Sequence, residues 1–295
     1  MAPTWQEWRA RAEPIDVDGR TVAIYDLGDH TDDLGDPDGA SCTFVHGYPS
    51  ASVDIAAVVD LLGAGYRMFA IDLPGFGASA KPPGHRHTIH AAVDAVEAMW
   101  AARGVRSTLL VAHDYSVSVA QELLARRAEG ALAVELTGVV WMNGGIYPDL
   151  HRPTIGQQLL LDPDQGAEFA AGMTEELFIG GLAGTWGERV PLDTEAVAAI
   201  WHSMDERGGG QLMHELLHYI ADRREHADRW RAALEGSGLP MVFVWGDLDP
   251  VSGAHMIARV EERIPSADVR RLADVGHWPL LEAPDEVAQA VRDLS

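Results

Sequence analysis

Three stretches of this sequence carry residue types and spacings that can do covalent chemistry. The first is Leu109-Leu110-Val111-Ala112-His113-Asp114-Tyr115-Ser116-Val117-Ser118, an apolar run ending on one acidic residue before a helical pattern starts. A sharp strand-to-helix turn of this kind lifts its apex side chain clear of a sheet. Asp114 also suits a plainer role, because aspartate is a common helix N-cap. The second stretch is Asp274-Val275-Gly276-His277-Trp278, and the third is Trp245-Gly246-Asp247-Leu248-Asp249-Pro250-Val251. A carboxylate alkylated at carbon becomes an ester, which water reopens; an alkylated serine becomes an ether, which water does not. Asp114, with a reference pKa of ~3.9, attacks without help from a base. His277 then activates water, and one of the two aspartates fixes its tautomer. The leaving group matters. An epoxide opens to an alkoxide about as basic as hydroxide, whose parent water has a pKa of about 15.7, so it needs an acid. A tyrosine with a pKa of ~10 suits that task, whereas a halide leaves without a proton.

The elements that must hold these residues follow from hydrophobic periodicity. Strands are expected near 15–17, 21–25, 42–45, 66–71, 108–112, 139–142, 241–245 and 269–272. Helices are expected near 5–11, 53–62, 90–103, 116–127, 254–263 and 285–294. Apolar runs of four to six residues, each followed by a helical pattern, indicate a mostly parallel sheet covered on both faces. The segment 29–39 reads as an acidic, solvated turn. Between Asn143 and Gly238 only helical patterns occur. An all-helical insert there covers the carboxyl edge of the sheet, where ligands bind in such folds. The expected division is a core of residues 1–145 and 239–295 with a helical cap over 146–238.

Composition narrows the function. The 295 residues are 47% hydrophobic and 23% charged, an ordinary globular balance with room for a large core. Asp and Glu number 45 against 22 Lys and Arg, a net charge of −23 that repels phosphate. Nucleic acid and anionic membranes are therefore not expected as partners. The single cysteine, Cys42, forms no internal disulfide, and no secretory signal or membrane span is visible, so a cytoplasmic location is expected. Two histidine groups invite a metal check. His85, His87 and His90 lie in a Pro/Gly-rich loop without carboxylates, and His214 and His218 have i,i+4 spacing but no third ligand. No metal and no cofactor are expected, and the oligomeric state is left open.

The motifs His46-Gly47-Tyr48-Pro49, Asp72-Leu73-Pro74-Gly75-Phe76-Gly77, Ala112-His113-Asp114-Tyr115 and Gly276-His277 resemble the epoxide hydrolase and haloalkane dehalogenase branch of the α/β-hydrolase superfamily. Closer still is the mesoderm-specific transcript group. That similarity rests on His113-Asp114-Tyr115 with Val119-Ala120-Gln121-Glu122-Leu123-Leu124, on Asn143-Gly144-Gly145-Ile146-Tyr147-Pro148, on His151-Arg152-Pro153 and on Leu248-Asp249-Pro250-Val251. The resemblance implies the α/β-hydrolase fold: a mostly parallel eight-stranded sheet, flanking helices and a helical cap. It implies Asp114 as nucleophile, His277 as base and Asp249, rather than Asp247, as the acid orienting it. It implies backbone N–H groups of Tyr48 and Tyr115 as the oxyanion hole. It implies cap tyrosines as proton donors, Tyr219 first and Tyr147 second. His46, Pro49 and Trp278 are expected to line the pocket. The reaction implied is hydrolysis of a small apolar electrophile, an epoxide before an alkyl halide. Tyr48 and Tyr115 stand where haloalkane dehalogenases typically carry Asn and Trp halide donors. A dehalogenase would have to draw on Trp186, Trp201, His151 or His218 instead. A non-catalytic ligand-binding relative is the alternative from another class. This chain departs from the branch at Ser116, where glycine is preferred; two residues past the apex, Ser116 is not read as a nucleophile.

Overall fold

The computed structural model describes residues 2–28, 41–82 and 84–295, so the turn expected over 29–39 lies outside the described residues. One sheet contains β1 (Glu13–Val17), β2 (Arg20–Asp26), β3 (Ser41–Val45), β4 (Arg67–Asp72), β5 (Ser107–His113), β6 (Glu135–Met142), β7 (Met241–Gly246) and β8 (Asp268–Leu272). Their order is β1-β2-β4-β3-β5-β6-β7-β8. The pairs β1–β2 and β2–β4 are antiparallel, and every pair from β4–β3 to β7–β8 is parallel. β3 and β7 are buried throughout and β5 and β6 nearly so, whereas β1 and β8 at the two edges are largely exposed. That contrast explains the sequence. Inner parallel strands are covered by helices on both faces and read as unbroken apolar runs.

β3 lies between β4 and β5, so the strand order reverses there, and such a switch point is where ligands bind in open α/β sheets. Because β3, β5, β7 and β8 run parallel, their carboxyl ends bring His46-Gly47-Tyr48, Asp114, Asp249 and His277 to one edge.

The core helices before the insertion are α1 (Trp5–Arg9), α2 (Ala56–Leu62), α3 (Ile89–Arg103) and α4 (Tyr115–Ala128). The helix expected from residue 53 begins instead as a 3-10 turn, Ser52–Ile55. Asp72 Oδ1 accepts both the Ser52 N–H at 2.9 Å and its hydroxyl at 2.6 Å, which pins that turn to the end of β4. The stretch between β6 and β7 holds α5 (Ile155–Leu160), α6 (Gly166–Ala171), α7 (Glu175–Ala183), α8 (Thr194–Asp205), α9 (Met213–Leu216), α10 (Tyr219–Glu225) and α11 (Ala227–Glu235), with no strand among its described residues. The chain closes with α12 (Ala254–Arg263), β8, α13 (Pro279–Glu282) and α14 (Pro284–Leu294).

α4 is buried continuously from Tyr115 to Ala125, because the sheet covers one side and α11 the other. Burial of its Glu122 is made tolerable by three side chains, Arg126 of α4 with Nε at 3.1 Å and, from α11, Trp230 with Nε1 at 2.7 Å and Arg229. A buried charge is retained only when paired and hydrogen-bonded. Glu122 thereby ties the helical insertion to the helix that begins at Asp114.

Candidate active site

Asp114 sits between β5 and α4 with φ 48° and ψ −102°, a region that costs a non-glycine residue about 1–3 kcal/mol. Its carboxylate makes no capping bond to α4, so the plain N-cap role does not hold. Surrounding contacts enforce the turn. The Asp114 N–H donates to Asn143 O at 2.9 Å, and its carbonyl accepts from Arg223 Nη2 at 3.0 Å. Ser116 Oγ donates to Val45 O at 2.6 Å and accepts the His113 N–H at 2.7 Å, which fastens the turn to β3. The hydroxyl that replaces the usual glycine is thus fully engaged and buried beneath the apex. Gly47 crosses above it so closely that a Cβ would lie 2.9 Å from Asp114 Cβ.

Three groups approach the Asp114 carboxylate. Oδ2 accepts the Tyr48 N–H at 3.0 Å and the Tyr219 hydroxyl at 3.4 Å, and Oδ1 lies 3.7 Å from His277 Nε2. Tyr115 opens α4, and a first-turn N–H has no acceptor within its own helix. Of the two backbone N–H groups expected to form the oxyanion hole, that of Tyr48 is bonded to the apex carboxylate and that of Tyr115 lies one residue from the apex with no acceptor inside its helix. Tyr219 comes from α10, with its ring 4.4 Å from that of Tyr115. Burial pushes the Tyr219 hydroxyl pKa up; Arg223 opposes this and Asp114 adds to it.

His277 Nδ1 donates to Asp249 Oδ2 at 2.8 Å. Asp249 also accepts from Ser252 Oγ at 2.7 Å, Asn143 Nδ2 at 3.0 Å and the Val251 N–H at 2.8 Å. Burial alone would raise its pKa, but the His277 charge and these hydrogen bonds hold it well below the usual carboxylate range. Asp247, the other candidate, is held by Arg271 at 3.0 and 3.1 Å. Burial pulls the His277 pKa down, yet Asp249 and then Asp114 outweigh it and raise it to about 9. Substituting Asp114→Asn removes one of those charges, so the His277 titration measured by NMR is expected to fall below about 9. The stability sign follows from linkage. A His277 pKa raised above its unfolded ~6.5 stabilises the fold fully below ~6.5, and that contribution is lost as pH rises through about 9. The Asp114→Asn variant should show a smaller loss of stability over that interval in denaturant titrations.

The remaining expected residues are placed less directly. His46 uses both ring nitrogens on the backbone, accepting from Leu73 N–H at 3.1 Å and donating to Gly47 O at 2.8 Å, so it shapes the Tyr48 loop. Trp278 packs 5.3 Å from His277 and spends its indole N–H on Thr185, 3.0 Å away. Pro49 follows Tyr48 on the same loop. Tyr147 is not brought to Asp114. Its hydroxyl donates to Glu235 at 3.3 Å, where Arg263 also binds, so packing among α11 and α12 turns the ring away. Of the other insertion residues, Trp186 spends its N–H on Val190 O and Trp201 packs on Phe178. Among the described residues, no three His, Cys, Asp or Glu side chains are grouped to hold a metal.

Sequence reasoning missed three supports. Arg223 is buried, binds Ser118 Oγ at 2.7 Å as well as the Asp114 carbonyl, and lies 4.5 Å over the Tyr219 ring. Its spacing of four residues from Tyr219 on α10 was the available signal. His113 donates its Nε2–H to the His277 carbonyl at 2.7 Å. Asn143, besides Asp249, holds the Gly246 backbone from both amide atoms, at 2.7 and 2.8 Å.

A family model described as the alpha/beta hydrolase family matches residues 44–290. The chain belongs to that family. Among curated α/β-hydrolase relatives, LipZ of Mycobacterium tuberculosis, named as a hydrolase, is 32% identical, covering 99% of this chain and 98% of its own. The mesoderm-specific transcript homolog protein of Homo sapiens is 29% identical, covering 96% and 85%. The solved haloalkane dehalogenase DbeA from Bradyrhizobium elkani superposes with a TM-score of 0.76 at 20% identity, covering 96% and 98%, which shows the shared fold. Among the described residues, no helix of this hydrolase is long and apolar enough to cross a membrane.

Proposed function

We propose that this α/β hydrolase uses Asp114 as an alkyl-accepting nucleophile and that its substrate is an epoxide, converted to a vicinal diol. The observation carrying this reading is the Tyr219 hydroxyl, 3.4 Å from the same Asp114 oxygen that accepts the Tyr48 N–H. A hydroxyl beside a carboxylate is the pairing that ring opening of an epoxide requires, which supports the reading of Tyr219 as the acid.

One Asp114 oxygen attacks a ring carbon, the carbon–oxygen bond breaks, and the departing oxygen takes the Tyr219 proton. The product is an ester on Asp114 and a Tyr219 phenolate. Alkylation also removes the charge of Asp114, which with Asp249 and Glu282 holds His277 protonated. The imidazolium releases its proton, which restores Tyr219, and the neutral imidazole becomes available as the next step requires a base. His277 then deprotonates a water, which attacks the ester carbonyl. The N–H groups of Tyr48 and Tyr115 receive the developing oxyanion. On collapse the departing diol oxygen takes the proton held by His277, and the acid proton left on Asp114 passes to His277, which restores the carboxylate and the imidazolium.

An epoxide is favoured over an alkyl halide because the Tyr48 side chain is committed to Met213 O at 3.2 Å and offers no halide donor. The test is the turnover of small epoxides and alkyl halides by the wild type and by Tyr219→Phe. The phenylalanine variant should lose about 100-fold or more in epoxide ring opening, the usual worth of a positioned acid. Faster wild-type release of halide than of diol, unaffected by Tyr219→Phe, would replace this reading with dehalogenation.

A further inference from the structure

Two side chains near the nucleophile carry buried donors that nothing among the described residues satisfies. Both ring nitrogens of His151 are shielded from solvent and have no hydrogen-bond partner. Arg223 is buried, and with Nε on Ser118 and Nη2 on the Asp114 carbonyl, its Nη1 is likewise shielded and unpartnered. Native proteins rarely leave such groups unmet, because each costs about as much as a lost hydrogen bond. Arg223 lies within electrostatic reach of the His151 ring. His151 follows the turn Pro148–Leu150, with its N–H on Pro148 O at 3.4 Å. The next residue, Arg152, donates to Val251 O at 3.2 Å, so the turn is latched to the loop carrying Asp249. Burial, reinforced by Arg223, holds the imidazole pKa down to about 4, with Asp114 and Asp249 close enough to act on it. It is therefore a neutral ring with one N–H to give, set among charged groups that already have partners. Tyr147, expected from sequence as a second donor, faces Glu235 instead.

We propose that His151 and Arg223 Nη1 form a polar grip for a hydrogen-bond-accepting oxygen, a hydroxyl or carbonyl, carried by the substrate next to its reacting carbon. The substrate class is then a functionalised epoxide rather than the purely apolar one expected from sequence. This rests on the epoxide reading above. The grip acts on binding, through donors that are left unmet when the substrate lacks the oxygen. A site built around such donors discriminates strongly against the analogue that cannot use them.

Glycidol and butylene oxide differ by a hydroxyl in place of a methyl group and suit the test. Wild-type protein should favour glycidol by about tenfold or more in kcat/KM, chiefly through KM. His151→Phe should collapse that preference to near one, and His151→Gln, which keeps an N–H donor, should restore part of it. Binding is read separately by titrating the Asp114→Asn variant, which accepts no alkyl group, with the same two epoxides. Tighter binding of glycidol that disappears with His151→Phe supports the grip. Equal binding, absent binding, or a His151→Phe change that affects both epoxides alike overturns it, as does bromide binding that depends on His151 without any glycidol preference. Failure of the epoxide reading shows elsewhere, as no ester on Asp114 when His277 is replaced, so the two failures are distinguishable.

Discussion

Replacing Asp114 by Ala is expected to lower kcat/KM on an epoxide by at least about ten-thousandfold, the usual consequence of deleting a nucleophile whose partners act as a unit. No neighbouring group substitutes for it. Ser116, the nearest aliphatic hydroxyl in sequence, has its oxygen bonded to Val45 O and the His113 N–H beneath the turn. Asp114→Ser should not rescue the activity either, because an alkylated serine is an ether that His277-activated water cannot open. Folding should survive, since the turn is held by backbone atoms of Asp114 bonded to Asn143 and Arg223. Steady-state kinetics with a circular-dichroism melt separate the two effects. A folded Asp114→Ala protein with substantial turnover would remove Asp114 from the chemistry.

The second large effect is expected at Arg223. One guanidinium there holds the Asp114 carbonyl, Ser118 on α4 and the face of Tyr219, so it couples the helical insertion to the apex of the turn. Arg223→Met keeps much of the volume but strands those acceptors. Stability should fall by about 3 kcal/mol, the scale for breaking a buried charged network. Ring opening should fall by roughly 100-fold, because misplacing reacting groups by about 1 Å costs that much. Arg223→Lys should recover little, since a single ammonium cannot reproduce the planar fork that reaches two acceptors and stacks on a ring. Denaturant titration reads the first loss and single-turnover kinetics the second. Unchanged stability in Arg223→Met would show that the insertion and α4 are held together by other contacts, the Glu122 cluster foremost.

How much of this was legible before the structure differs by kind of interaction. Strand ends were legible, because inner parallel strands are unbroken apolar runs, and Asp114, Asp249 and His277 each follow one. The structure brings these three together, with Asp249 rather than Asp247 on the histidine. Tyr219 was suggested only by the resemblance to a family that carries a tyrosine in its cap. What sequence did not disclose depends on contacts across elements. Tyr147 lies close to the start of the insertion, and only the packing of Glu235 and Arg263 sends its hydroxyl away. His46 reads as a pocket residue, yet two backbone groups consume its ring. His113 acts on a backbone carbonyl, an acceptor every residue possesses, so no pattern marks the pairing. Ser116 breaks the expected glycine and repairs the turn with a bond to β3, a compensation visible only once β3 and β5 are side by side.

The strain at Asp114 links fold to chemistry. A non-glycine residue at φ 48° is tolerated there because β3, β6 and the insertion all bond to the turn, and strained backbone of this kind clusters at functional sites. The ordering of proton transfers follows from the same geometry. Two carboxylates flank His277, and the proposed first step neutralises one of them.

The most direct test of an aspartyl-ester hydrolase is the intact mass of His277→Gln after incubation with glycidol and butylene oxide. With the base removed, the ester should persist, and the protein should gain the whole mass of one epoxide. That gain should be absent from the double variant carrying Asp114→Ala, and peptide mapping should place it on Asp114. A gain lacking the elements of hydrogen halide when alkyl halides are offered, with none from epoxides, would contradict the epoxide assignment while keeping Asp114 as nucleophile. No gain from either class would contradict the ester mechanism itself.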